Sequence, residues 1–162
     1  MNSSALDGFD AINVISRYFQ FCDAKDFDGM RSLWADVVSV DYGGVFPLEG
    51  QVEADALKRA MAEVIGPIPL TQHMITTPVA DVEGDTATVR FHLEALHHHP
   101  DLGKDERSTD WTMYARGVIG LSRTPDGWKV SSERLSVVHQ TGNLDFVNAV
   151  AQHAAKRDPS SP

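Results

Sequence analysis

The stretch "LTQHMITTPVADVEGDTATVRFHLEALHHHP", residues 70–100, decides the fold. Two β-rich runs flank "EGD" at 83–85, a tight-turn signal, so the segment predicts a β-hairpin. Side chains alternate along a strand. Within residues 87–99, one face carries Ala87, Val89, Phe91, Leu93, Ala95, His97 and His99. The other carries Thr88, Arg90, His92, Glu94, Leu96 and His98. The apolar face belongs to the core, which turns His97 inward and His98 outward. His99 adjoins Pro100, and the alternation leaves its direction open. In the earlier run His73 shares a face with Thr71 and Ile75.

Helices precede this hairpin. In "DGFDAINVISRYFQFCDAKD" the apolar residues Phe9, Ile12, Ile15 and Phe19 recur at helical spacing, and Asp23 continues the stripe. "DFDGMRSLWA" (26–35) reads as a short second helix with Asp26 or Asp28 near its start. "VVSVDYG" (37–43) reads as a strand, and "QVEADALKRAMAEVIG" (51–66) as an amphipathic helix ending at Gly66 and Pro67. After the hairpin, "STDWTMYARGVIGLSRT" and "WKVSSERLSVVHQTG" are two further strands joined at "PDG". "NLDFVNAVAQHAAKR" is a final helix capped by Asn143. Residues 1–6 and 157–162 read as loose ends, leaving an ordered core of about 8–156 within one domain of 1–162. Helices first and antiparallel strands after indicate an α+β fold, with the helices on one face of a curved sheet.

Composition limits the function. The 162 residues contain 42% hydrophobic residues, enough for one sizeable core. A net charge of −9 opposes binding to nucleic acid or to an anionic membrane, and favours a small molecule as partner. No apolar run is long enough to span a bilayer, and the N-terminus lacks a signal-peptide pattern. The single cysteine, Cys22, fits a reducing cytoplasm. On the third strand Trp111 and Met113 share a face with Ala115, Gly117, Ile119 and Leu121, a mixture of sizes that suits a concave pocket.

"FCDAKDFDGMRSLWADVVSVDY", "LTQHM", "FHLEALHHHP" and "DGWKVSSERLSVVHQTGN" together resemble the SnoaL-like branch of the nuclear-transport-factor-type cone fold, most of all the scytalone dehydratase-like proteins. The resemblance spans about residues 10–145. It implies a cone-shaped α+β barrel with a deep pocket and a lyase without cofactor. By that resemblance Asp23, Tyr42, His73 and His97 are the catalytic positions, and an aspartate–histidine pair acts as base and acid. Cys22 stands where the family has a tyrosine, and Ala115 and Gly117 where a dehydratase has polar residues. A homodimer or homotrimer is also implied.

The expected chemistry centres on Asp23 and His97. A carboxylate that accepts from one imidazole nitrogen fixes the tautomer and raises the basicity of the other. That nitrogen can take a proton beside a carbonyl and return it to a leaving hydroxyl. His73 and Tyr42 would assist, Tyr42 as a hydrogen-bond donor. Trp34, Phe46, Phe91, Trp111, Met113, His99 and His139 would contact the substrate, a cyclic or aromatic hydroxy or carbonyl compound. Dehydration, retro-aldol loss of formaldehyde, and isomerisation or cyclisation of a polyketide-like molecule all suit this set, as does a non-catalytic binding module. A metal held by His73, His97 and His99 is the rival arrangement. Thiolate chemistry at Cys22 is disfavoured by its neighbour Asp23.

Overall fold

A computed structural model describes residues 3–46 and 48–157. Helix α1 (Ser3–Ala24) is followed by α2 (Phe27–Leu33), β1 (Trp34–Asp41), β2 (Glu49–Glu53) and α3 (Ala54–Ile65). Then come β3 (Leu70–Glu83), β4 (Thr86–His98), the helical turn α4 (Glu106–Thr109), β5 (Asp110–Thr124), β6 (Gly127–Gly142) and α5 (Phe146–Arg157). The six strands form one sheet in the order β2-β1-β6-β5-β4-β3. All neighbours are antiparallel except β1 and β6, which run parallel. The α+β expectation holds, with helices leading and the long strands following.

The hairpin turns at Gly84 and Asp85, and Gly84 supplies the positive φ of 59° that such a turn needs. Its register sets Thr71 opposite His97 and His73 opposite Ala95. The alternation along β4 is as read from the sequence: Ala87, Val89, Phe91, Leu93, Ala95, His97 and His99 are all buried. Irregularities in pairing at Thr76/Val79, Tyr114/Ala115 and Gly120/Leu121 bend the long strands. The concave side then packs on α1 and α3 around Ile15, Met30, Leu57, Val89 and Val130. Burial of this continuous apolar face, at about 25 cal/mol per Å², is the main stabilising term.

Several local readings are corrected. Gln51–Glu53 is strand, not helix, because β2 completes the sheet edge beside β1 and α3 starts only at Ala54. Trp34 opens β1 rather than closing α2. Ser3–Leu6 belongs to α1 and Arg157 to α5; the remaining residues expected to be loose, 1–2 and 158–162, lie outside the described ones. Phe9 is 63% exposed. At the start of α1 the packed face runs through Gly8, which lies against Ala80 and Val82 of β3. Asp26 Oδ1 caps α2 as expected, accepting from Gly29 N–H at 2.8 Å, but α5 begins only at Phe146, so Asn143, whose Oδ1 accepts from Asp145 N–H, closes the turn before the helix instead of capping it.

Candidate active site

The end of α1 lies against β3, the outermost strand on that side of the sheet. An edge strand has backbone N–H groups with no strand partner. Asp23, in the last turn of α1, fills that role. Its Oδ2 accepts from the His73 backbone N–H at 2.8 Å, and its Oδ1 lies 2.6 Å from His73 Nδ1. Thr71 Oγ1 donates to the same Oδ1 at 3.0 Å, and Lys25 Nζ donates to Thr71 Oγ1 at 2.5 Å. Burial would raise the Asp23 carboxyl, but the bonds from His73 and Thr71 outweigh it and hold it below its ordinary value. A carboxylate only accepts, so Nδ1 of His73 carries the hydrogen and Nε2 is the basic nitrogen.

This overturns the expected Asp23–His97 pair. The carboxylate meets His73, because the last turn of α1 reaches the edge strand and not β4, the next strand in. His97 is 3% exposed and stacks on Trp111 with ring centroids 4.5 Å apart. Its Nδ1 lies 3.3 Å from the Trp111 carbonyl, which makes Nδ1 the donor and leaves Nε2 bare. Burial, with the nearby His73, pushes the His97 imidazole down to about 3. His97 is therefore a neutral ring set edge-on to His73 at 5.6 Å, not a strengthened base.

Both rings line a narrow, mostly apolar cleft with about 80 Å³ of free internal volume. Tyr42, Phe46, Trp111 and Met113 line it, as expected. Cys22 also lines it, and burial followed by the Asp23 charge pushes its thiol up to about 12, which makes it a poor nucleophile. Asp23 stands behind His73 rather than in the wall.

Trp34, Phe91, His99 and His139 do not line the cleft. Phe91 is core, edge-on to Phe19 and seated over Gly117. His139 is on the outer face of the sheet, stacked on Tyr114, because the irregularity near residue 115 resets the alternation of β6. His99 packs its ring against His153 of α5, 4.8 Å between centroids. The trio His73, His97 and His99 is thus not assembled. Among the described residues, the donors that do converge, within 4.8 Å of one another, are Cys22, Asp23 and His73. Two of these are already bonded to each other. His98 faces outward and bonds to Asp110.

The sequence reading missed Glu133. It projects from β6 into the cleft and is 4% exposed. Its Oε2 lies in hydrogen-bond contact with the Tyr42 hydroxyl at 2.7 Å and the Tyr18 hydroxyl at 3.1 Å, and its Oε1 accepts from Trp34 Nε1 at 2.8 Å. The available signal was the alternation of "WKVSSERLS", which puts an acid on the face shared by Trp128 and Val130 only after a one-residue irregularity. Tyr42 and Trp34 are thereby explained: both are hydrogen-bonded to a buried carboxyl.

The SnoaL-like domain family matches residues 5–134. A solved structure from Kribbella flavida is 26% identical, with a TM-score of 0.77 over 87% of this chain and 94% of that one. A proposed dehydratase of the NTF2-like family from Streptomyces avermitilis is 25% identical, with a TM-score of 0.70 over 83% of this chain and 98% of that one. A type 2 hexachlorocyclohexane dehydrochlorinase, LinA, shares the fold at 16% identity, with a TM-score of 0.68 over 82% and 85%. Distant structural relatives thus carry the names of lyases. The chain itself belongs to the SnoaL-like domain family and has its NTF2-like fold.

Proposed function

We propose that the protein is a cofactor-independent lyase, and that Asp23 and His73 are its acid–base pair. The observation that carries this reading is the doubly anchored carboxylate behind a cleft-facing imidazole, 2.6 Å from its Nδ1. Nε2 of His73 takes the proton from a carbon beside a substrate carbonyl. The C–H electrons become the new carbon–carbon double bond, the carbon–oxygen bond of a β-hydroxyl breaks, and protonated His73 returns the proton so that water leaves. Base and acid are one group, so atoms and charge balance without a second reagent. Positioned acid–base catalysis of this kind contributes typically about 10²–10⁴-fold in rate. His97, neutral with Nε2 bare, accepts a hydrogen bond from a substrate hydroxyl and orients the molecule. The names of the Streptomyces and LinA relatives, a proposed dehydratase and a dehydrochlorinase, both describe eliminations and are in keeping with this chemistry.

The test is deuterium exchange from D₂O at the acidic carbon of aryl ketones and β-hydroxy ketones, with water loss followed by mass spectrometry. Wild type should catalyse exchange, His73→Ala should not, and His97→Gln should retain it with weaker binding. Undiminished exchange in His73→Ala would remove the proposal.

A further inference from the structure

Glu133 is a fully enclosed carboxyl that the acid–base step leaves without a task. We infer that Glu133 stands as a neutral carboxylic acid bonded through its O–H to the Tyr42 oxygen, which frees the Tyr42 hydroxyl for the donation to a substrate carbonyl that the family resemblance expects of it. The inference rests on the lyase reading of the same cleft and supplies its electrophilic half.

Charge is the first argument. The three groups bonded to Glu133 are Tyr18, Tyr42 and Trp34, all neutral. Among the described residues, no ion pair includes Glu133. A buried carboxylate without a cation carries a desolvation cost of several kcal/mol, which a proton removes. Burial indeed outweighs the bonds from Tyr42, Trp34 and Tyr18 and sets this carboxyl above its ordinary range.

Hydrogen counting is the second. Oε2, the Tyr18 hydroxyl and the Tyr42 hydroxyl form a cluster of three oxygens. With the carboxylate ionised, both phenol hydrogens are spent on Oε2 and neither reaches a ligand. With Oε2 protonated, its hydrogen goes to the nearer oxygen, that of Tyr42, at 2.7 Å. Tyr18 still donates to Oε2. The Tyr42 hydrogen is then surplus to the cluster, and Tyr42 lines the cleft.

Chemistry is the third. Removal of a proton beside a carbonyl places negative charge on the carbonyl oxygen. A carboxylate there would repel it, whereas a neutral acid–phenol pair stabilises it, and such donors are worth most in a dry site. Glu133 therefore acts through Tyr42 as a positioning residue, and the substrate class narrows to carbonyl compounds whose oxygen reaches the Tyr42 end while their acidic carbon faces His73.

Infrared spectroscopy tests this without turnover. The difference spectrum between wild type and Glu133→Gln at neutral pH should contain a protonated-carboxyl C=O band that shifts in D₂O. Acetophenone should bind with its C=O stretch lowered in wild type, in Glu133→Gln and in His73→Ala, but not in Tyr42→Phe. The glutamine amide can donate to Tyr42 as the acid does, so that variant separates a lost charge state from a lost fold. An ionised carboxylate at neutral pH, an unchanged acetophenone shift in Tyr42→Phe, or no acetophenone binding by wild type would each overturn the inference. A lowered C=O stretch in wild type without deuterium exchange would instead sink the lyase reading and leave this one standing.

Discussion

His97 makes the folded protein sensitive to acid by a calculable amount. Its imidazole is pushed from an ordinary 6.5 down to about 3 by burial. In the unfolded chain the same ring takes up a proton as the pH falls through 6.5, while the folded ring stays neutral until about 3. The unfolded state therefore binds more protons across this window, and stability falls as pH falls. Integrating the difference gives a loss of about 2 kcal/mol at pH 5 and about 3 kcal/mol at pH 4, relative to neutral pH. For a domain with roughly 5–15 kcal/mol in total, that is a large fraction. His97→Gln keeps a polar group beside the Trp111 carbonyl but cannot titrate. Urea unfolding followed by tryptophan fluorescence at pH 7.5 and pH 5 should show the wild type losing about 2 kcal/mol more than the variant. The other groups titrate in both proteins and cancel in the comparison. Equal losses in the two proteins would refute the placement of His97 as a buried neutral ring.

Further outcomes are expected from the same geometry. Asp23→Asn should leave the fold intact yet lower deuterium exchange by about 10²–10⁴-fold, because the amide no longer selects the His73 tautomer. Gly117→Ala should destabilise by about 1–3 kcal/mol in thermal unfolding, since a methyl group there would lie 2.2 Å from the Phe91 ring. Phe91→Leu in the same chain should recover part of that loss. Cys22 should resist alkylation by iodoacetamide at pH 8 in the native protein and react fully in urea, as its thiol is pushed up to about 12.

The sheet was legible because burial enforces period two: a one-residue slip of β4 would have exposed Val89, Phe91 and Leu93 together. His73 and His97 fell on the inner face for that reason alone. The partner of Asp23 was not legible. It depends on which strand the last turn of α1 reaches, and helical periodicity gives the face of Asp23 but not its position across the sheet. β2 was hidden for a related reason. "EGQVE" has no alternating apolar face, and its five residues are mostly exposed, so only pairing with β1 makes them a strand. Glu133 was missed and His139 misplaced because of the irregularities of β6, where alternation counted straight through gives the wrong face.

Lys25 shows how far a local rule can be set aside at the site. It has a φ of 59°, in the left-handed region, which costs a residue with a side chain roughly 1–2 kcal/mol. Glycine would relieve this and commonly ends helices. The lysine instead sends a half-buried ammonium back to Thr71 Oγ1, whose own hydrogen then goes to Asp23 Oδ1. One hydroxyl thus receives from the cation and gives to the carboxylate, which fixes the direction of the chain and holds the oxygen that anchors His73. The two contributions separate in a pair of variants. Lys25→Gly loses the ammonium and the strain, whereas Lys25→Ala loses the ammonium and keeps the strain, so the glycine protein should be the more stable by about 1 kcal/mol. Both should exchange deuterium more slowly than wild type to a similar extent, because both leave Thr71 free to turn from Asp23. If Lys25→Gly matched wild type in exchange while being more stable, the strained lysine would have no part in orienting Asp23, and the carboxylate would be held by His73 alone.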